Sequence, residues 1–261
     1  MPERTSYEPG VPSWVDLSTP DFDASASFYG TLFGWDVEAA GPPEETGGYA
    51  MFKRNGRQVA GIGPIMQEGQ PPVWSTYVST DDADAAVARA QEAGGAVVVE
   101  PTDVGDAGRF AFVSHPAGGH VGLWQAGRNI GAELVNEPGT LNWNELHTRD
   151  VEGAKAFYAA LFGWGADDQA FGNATYTVLS LRDRAIGGMV AMPAGVPDEV
   201  PAYWLVYFMV EDCDAAVAKT EELGGSLTVP AMDMEGVGRF ATLADPHGIG
   251  FAVIAAVQPD E

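Results

Sequence analysis

The sequence predicts an α+β protein of two tandem units, each built from two βαβββ modules whose curved mixed sheets carry helices on the outside. Three observations predict it. The stretch DLSTPDFDASASFYGTLFGW (Asp16–Trp35) returns as ELHTRDVEGAKAFYAALFGW (Glu145–Trp164), 129 residues later. Further on, DDADAAVARAQEAGG (Asp81–Gly95) returns as EDCDAAVAKTEELGG (Glu211–Gly225), and GRFAFVSHPAGG (Gly108–Gly119) as GRFATLADPHGI (Gly238–Ile249), with the offset now 130. Within each copy the order strand, helix, strand, strand, strand is met twice with no helix-rich interlude. Self-similarity that holds register over such gaps marks duplicated structural units.

The opening strand, Val11 to Thr19, alternates: Trp14, Asp16 and Ser18 share one face, Val15 and Leu17 the other. Asp21 stands at an N-cap, Phe28, Leu32 and Phe33 follow at helical spacing, and Gly34 ends the helix. A short strand around Trp35 to Glu38 leads into the loop GPPEETGG. Two further strands then meet at Asn55-Gly56, a dipeptide suited to a two-residue hairpin because both positions need positive φ. The second module starts with a strand over Val73 to Thr80, a helix over Asp81 to Ala93 stopped by Gly94-Gly95, and the strand AVVVE. It closes with RFAFVSHP and HVGLWQ around Pro116 to Gly119. The first unit therefore spans residues 1–128, with modules at about 11–66 and 73–126. A Gly- and Pro-containing linker follows at 129–140. The second unit spans 141–261, with modules at about 141–192 and 202–257.

A chain of 261 residues is long enough for two ordinary cores, in agreement with the repeat. No apolar run reaches the roughly 18–20 residues of a bilayer span, and the first residues lack an apolar signal core, so a soluble, cytoplasmic protein is expected. A net charge of −24 argues against nucleic acid and anionic membranes as partners, which call for a basic face, and permits a cationic ligand. The single cysteine, Cys213, excludes an intramolecular disulfide, and its acidic neighbours disfavour the thiolate.

Alternation also selects the residues that face the hollow of each sheet. In the first unit these are Trp14, Asp16 and Ser18 with His120, Gly122 and Trp124; in the second, Trp143, Glu145 and His147 with Gly250, Ala252 and Ile254. Aromatic rows with a few polar groups are the usual make-up of a small-molecule cleft. Asp16 and Glu145 are equivalent in the repeat, and desolvation in such a cleft raises a carboxyl pKa toward the range useful for proton transfer. Glu145 with His147, or Asp16 with His120, are the candidate acid/base pairs; Trp14, Ser18, Trp124 and Trp143 are the candidate ligand contacts. The competing structural reading pairs each carboxylate with an arginine and makes His147 a capped strand-end residue. His115 and His247 fall in turns and are expected to be exposed, whereas Trp35, Trp164, Trp74 and Trp204 are expected in the core. Arg109 and Arg239, in matched Gly-Arg-Phe steps, are expected to make structural hydrogen bonds to the adjacent turn. Gly61-Ile62-Gly63 lies in a strand and is no phosphate loop, there is no nucleophile elbow, and no cofactor is expected.

Three blocks carry a resemblance to a known family. They are the D-x7-Y-x4-GW helix block (Asp21, Tyr29, Gly34, Trp35; Asp150, Tyr158, Gly163, Trp164), the helix block at Asp82 and Asp84 with its copy at Asp212 and Asp214, and the closing turns His115–Gly118 and Asp245–Gly248. Together they resemble the vicinal oxygen chelate superfamily of glyoxalases, extradiol dioxygenases and fosfomycin and bleomycin resistance proteins, in a tandem two-domain, glyoxalase-like form. The resemblance implies metal ligands at Trp14, Ser75 and Gly122 in the first unit and Trp143, Leu205 and Ala252 in the second. A fourth is implied within Gln58 to Ile65 or Ala185 to Met192. None of these positions offers a carboxylate, imidazole or thiolate, so no bound metal is expected. The readings that remain are metal-independent acid/base chemistry on a small planar or hydrophobic metabolite (an isomerase, lyase or tailoring enzyme), sequestration like the bleomycin-resistance branch, and an ordinary glyoxalase. Since one chain holds both partner units, a monomer suffices.

Overall fold

The protein was analysed as a computed structural model, which describes residues 3–66, 69–172 and 174–257. The first module comprises β1 (Pro12–Thr19), α1 (Phe22–Phe33), β2 (Asp36–Ala39), α2 (Pro43–Thr46), β3 (Ala50–Arg54) and β4 (Arg57–Pro64). The second comprises β5 (Val73–Ser79), α3 (Ala83–Glu92), β6 (Ala96–Val104), β7 (Gly108–His115) and β8 (Gly118–Ala126). The third has β9 (Leu141–Thr148), α4 (Val151–Phe162), β10 (Gly165–Phe171), β11 (Ala174–Leu181) and β12 (Arg184–Ala191). The fourth has β13 (Tyr203–Met209), α5 (Cys213–Glu222), β14 (Ser226–Met234), β15 (Gly238–Ala244) and β16 (Gly250–Ala256).

Each pair of modules forms one eight-stranded mixed sheet, in the orders β2-β3-β4-β1-β5-β8-β7-β6 and β10-β11-β12-β9-β13-β16-β15-β14. The opening strands of the two modules, β1 with β5 and β9 with β13, pair antiparallel at the centre and join the modules into a curved α+β unit. Local chemistry fixes the ends of the elements. Asp21, Asp82, Asp150 and Asp212 each accept a hydrogen bond from the backbone N–H three residues on, satisfying an amide that the first helical turn leaves open. Asn55 and Gly56 take φ of 52° and 75°, the left-handed pair that a tight hairpin requires.

Three local expectations are corrected. The GPPEETGG loop contains the one-turn helix α2, started by Pro43 in the first helical turn. Helix α3 begins at Ala83 because Asp82 is spent as its cap. Strand β6 runs past Glu100 to Val104, since β7 goes on pairing as far as Gly108.

The helices cover the convex faces, where they serve both units. Helix α1 lies on Leu17, Ile62 and Trp74 of its own sheet, and its Phe28, Tyr29 and Phe33 also meet Phe251 or Phe208 of the other. The Tyr29 hydroxyl accepts from Trp74 Nε1 (3.0 Å) and donates to Asp245 Oδ2 (3.2 Å). Helix α4 makes the reciprocal contact: Tyr158 accepts from Trp204 Nε1 (3.3 Å) and donates to the Gly119 carbonyl (3.4 Å). At the sheets' backs, Thr76 Oγ1 donates to Asn144 Oδ1 at 2.8 Å. Trp35 Nε1 donates to the carbonyl of Gly139 in the linker, and Trp164 Nε1 to that of Gly10 in the leader, each at 2.7 Å. His115, expected at the surface, is buried because α4 covers it: its ring meets Phe157, and burial holds the imidazole below its usual pKa. His247 is half-buried. The four tryptophans of the helix ends and second strand sets are in the core. Arg109 and Arg239 form ion pairs, with Asp84 and Asp103 and with Asp214 and Asp233, that tie a helix start to an edge strand. Burial and then the Asp214 charge push the Cys213 thiol up to about 11. Among the described residues, no helix is long and apolar enough to cross a membrane.

Candidate functional site

The concave face of each sheet is organised around one carboxylate. In the first unit Asp16 on β1 pairs with Gly61 of β4 and Ser75 of β5. Its Oδ2 accepts from the hydroxyls of Tyr77 (2.8 Å) and Tyr49 (3.1 Å), and Trp14 Nε1 donates to the Tyr49 hydroxyl at 3.0 Å. Tyr77 lies over Gly122, and Tyr49 over Gly61; a Cβ at either glycine would overlap the ring or hydroxyl above it. Burial raises the Asp16 pKa to about 6, against the opposing pull of the Tyr77, Tyr49 and Ser75 hydrogen bonds, and pushes both phenols well above their usual value. Trp14, Asp16, Tyr77 and Trp124 are each no more than 8% exposed, so this hollow is filled by its own side chains. Trp124 is fixed by a 2.8 Å bond from Nε1 to the Asn129 carbonyl, and Ser18 Oγ accepts from Gln70 at 2.9 Å. His120 stays exposed near the start of β8 and has no hydrogen bond with Asp16. The structure therefore does not bring that pair together.

The second unit repeats the cage with one change of consequence. Glu145 on β9 takes the place of Asp16, paired with Gly188 and Leu205; its Oε1 accepts from the Tyr207 hydroxyl at 3.0 Å. Tyr176, from β11, lies over Gly188, accepts from Trp143 Nε1 at 2.8 Å and stands beside Glu145. Burial and the Glu145 charge push the Tyr207 and Tyr176 phenols far above their ordinary range, so both act as donors. Where the first unit has Ser18, the second has His147, and its Nε2 meets Glu145 Oε1 at 2.8 Å. Tyr203 stacks on the imidazole with centroids 4.8 Å apart and planes 10° off parallel. With Glu145 accepting from Nε2–H, the second ring nitrogen is left as a bare acceptor; Nδ1 is buried and has no partner.

The hollow around this cluster is aromatic and apolar: Leu205, Tyr207, Ala252 and Ile254 form a floor against which Trp143, Tyr203 and Phe240 pack. Trp143, His147, Tyr176 and Tyr203 are partly buried; in the first unit Tyr49 and Ser18 are too, whereas Trp14, the counterpart of Trp143, is buried. At its rim a cavity of about 360 Å³ opens between β10, β11 and the β14–β15 hairpin, lined by Gln169, Ala170, Tyr176, Asp233, Met234, Glu235 and Val237. Another, of about 310 Å³, lies at the seam between α1, the linker and α5, away from both carboxylates.

Neither hollow offers a donor set suited to a transition metal. Such ions take three or four converging N, O or S ligands. Glu145 and His147 are two, already spent on each other, and the neighbouring phenols are held firmly protonated. Among the described residues no group of three or more His, Cys, Asp or Glu converges anywhere. The tyrosines of both cages were missed by sequence reasoning. Tyr77 and Tyr207 could have been found, standing two residues beyond Ser75 and Leu205 on the same face. Tyr49 and Tyr176 are 127 residues apart, out of step with the repeat, and carried no such signal.

Known proteins share this architecture. CFP32 of Mycobacterium tuberculosis, provisionally named a glyoxylase, is 45% identical over 258 residues, covering 97% of this chain and 98% of its own length. The anthracycline biosynthesis protein DnrV of Streptomyces peucetius is 39% identical, over 96% of this chain and 94% of its own. Among solved structures, the Mn(II)-bound glyoxalase of Novosphingobium aromaticivorans superposes with a TM-score of 0.67 at 17% identity, over 96% of this chain and 83% of that one. The 2,3-dioxygenase LapB of Pseudomonas sp. KL28 does so with 0.68 at 13%, over 97% and 96%. At those identities the likeness is one of fold. The family model of the Glyoxalase/Bleomycin resistance protein/Dioxygenase superfamily matches residues 12–121 and again 140–253, so the chain belongs to that superfamily, in tandem form.

Proposed function

We propose that the protein is a metal-independent enzyme of small-molecule metabolism, with its site in the second sheet and the Glu145–His147 pair as its acid/base. The observation that carries this reading is the hydrogen-bonded pair itself, in an aromatic hollow whose first-unit counterpart has no histidine beside its carboxylate. Glu145 accepts the Nε2 proton and so fixes the tautomer in which Nδ1 can take a proton from a C–H or O–H of the substrate. The imidazolium that forms is stabilised by Glu145; return of the proton to a neighbouring carbon completes an isomerisation, and its delivery to a departing hydroxyl, which leaves as water, completes an elimination. Tyr203, stacked on the ring, and Tyr207, bonded to the carboxylate, hold the pair in place. The walls, Trp143, Tyr203 and Phe240, suit a planar, largely apolar guest. The relatives named for anthracycline biosynthesis point to polycyclic aromatic metabolites as the first class to try.

The test begins with a thermal-shift screen of planar aromatic metabolites, anthracyclines among them, since a ligand bound to the native state raises the melting temperature. For a hit, product formation by chelator-treated protein is then compared with Glu145→Gln. Loss of about 10²–10⁴ in turnover with binding retained is expected. Full activity in that variant removes Glu145 from the reaction, and tight binding with the compound always recovered unchanged makes the protein a sequestering one.

A further inference from the structure

The side chain of Tyr176 occupies the second hollow as a ligand would. Its hydroxyl accepts from Trp143 Nε1 and lies over Gly188, the strand partner of Glu145, so that it stands beside that carboxylate on a floor that the glycine leaves bare. Its ring forms part of the wall of the 360 Å³ cavity at the rim, which has room to receive it. The first unit provides the comparison. Tyr49 takes the matching place, bonded to Trp14 and Asp16 over Gly61, but its hollow holds no histidine beside the carboxylate.

The geometry points to a phenol as the chemical signature of the ligand: a planar aromatic whose hydroxyl takes the place of the Tyr176 hydroxyl between Trp143 and Glu145 while that side chain swings into the rim cavity. This inference rests on the reading that the second hollow is the site, and it names the group that the hollow recognises. An ether oxygen can accept from the indole N–H but brings no donor to the Glu145 carboxylate, which keeps only its Tyr207 and His147 partners, and a plain hydrocarbon serves neither group, a cost that buried polar groups impose on the wrong ligand. A phenol serves both. Tyr176 is thus an internal competitor as well as a wall, and in the ligand's absence it fills the place beside the buried carboxylate.

The experiment is a calorimetric titration of the full chain with 2-naphthol and with its methyl ether, 2-methoxynaphthalene. One 2-naphthol per chain is expected, with the ether weaker by about tenfold or more. Tyr176→Phe keeps the ring and removes the competing hydroxyl, so 2-naphthol affinity should rise by about tenfold; Tyr49→Phe should leave it unchanged. Equal affinity for the two compounds, an unchanged or lower affinity in Tyr176→Phe, or no naphthol binding to either protein would overturn the phenol assignment. The location of the site is tested separately. Naphthol binding that survives Trp143→Ala undiminished places the ligand outside the second hollow and sinks the underlying reading as well.

Discussion

Asp16 shows what burying a carboxylate with only hydroxyl partners does to a protein. Its pKa in the native state is about 6, above the roughly 3.9 of an unfolded chain, so folding favours the protonated form. That advantage is complete below about pH 4 and is lost as the pH rises through about 6. By linkage, the two-unit gap corresponds to stability on the order of 2–3 kcal/mol across that window. Asp16→Asn removes the titration: denaturant melts from pH 4 to 8 should show wild-type stability falling relative to the variant over pH 4–6. Parallel curves would mean that Asp16 is not titrating there. The carboxylates were legible in the sequence because strict alternation sends both inward from repeated strands. Of their partners, only His147 beside Glu145 was legible, from its place two residues along the same strand. Arginine was the expected counter-group, and phenols took its place; Tyr49 and Tyr176 reach the carboxylates over Gly61 and Gly188, a closeness that depends on a missing Cβ and not on any spacing in the chain.

At the level of elements, the strands and helices were the most readable part. Helices α1, α3, α4 and α5 each announce themselves with an aspartate cap, and α1 and α4 end on glycines with φ near 70°, conformations that short-range sequence dictates. What no local pattern announces is that α1 and α4 serve the opposite unit as much as their own. Phe28, 4% exposed, meets Phe251 of the second sheet, so Phe28→Ala should lower the stability of the whole chain by about 3–5 kcal/mol in a chemical melt. Val37, on exposed β2, is the control: Val37→Ala should stay within about 0.5 kcal/mol. Comparable losses at the two sites would contradict the packing described for α1. His115 went unread for the same reason, since a turn that sequence places at the surface is covered by a helix from the other unit.

For the whole molecule, two readable units do not make two independent ones. Tyr29 to Asp245, Tyr158 to Gly119 and Thr76 to Asn144 join the halves through buried hydrogen bonds, and one apolar cluster takes residues from both. Scanning calorimetry should therefore show a single transition whose calorimetric and van't Hoff enthalpies agree. Two resolved peaks would show that the shared core is weaker than its contacts indicate. The repeat in the sequence revealed the duplication; the fusion of the two copies depends on hydrogen bonds between residues as far as 216 positions apart, which a linear pattern does not display.

The reciprocal clamps of the two helix-end tryptophans carry a last consequence. Trp35 grips Gly139 just before β9, and Trp164 grips Gly10 just before β1, so leader and linker are held in the same way by opposite halves. By this approximate two-fold equivalence, the segment before β1 and the linker before β9 take matching places in the two halves. A circularly permuted chain, opened near Pro138 and closed across its original ends, would thread the same architecture with its halves in reverse order. Which copy is translated first is, for this fold, an accident of history.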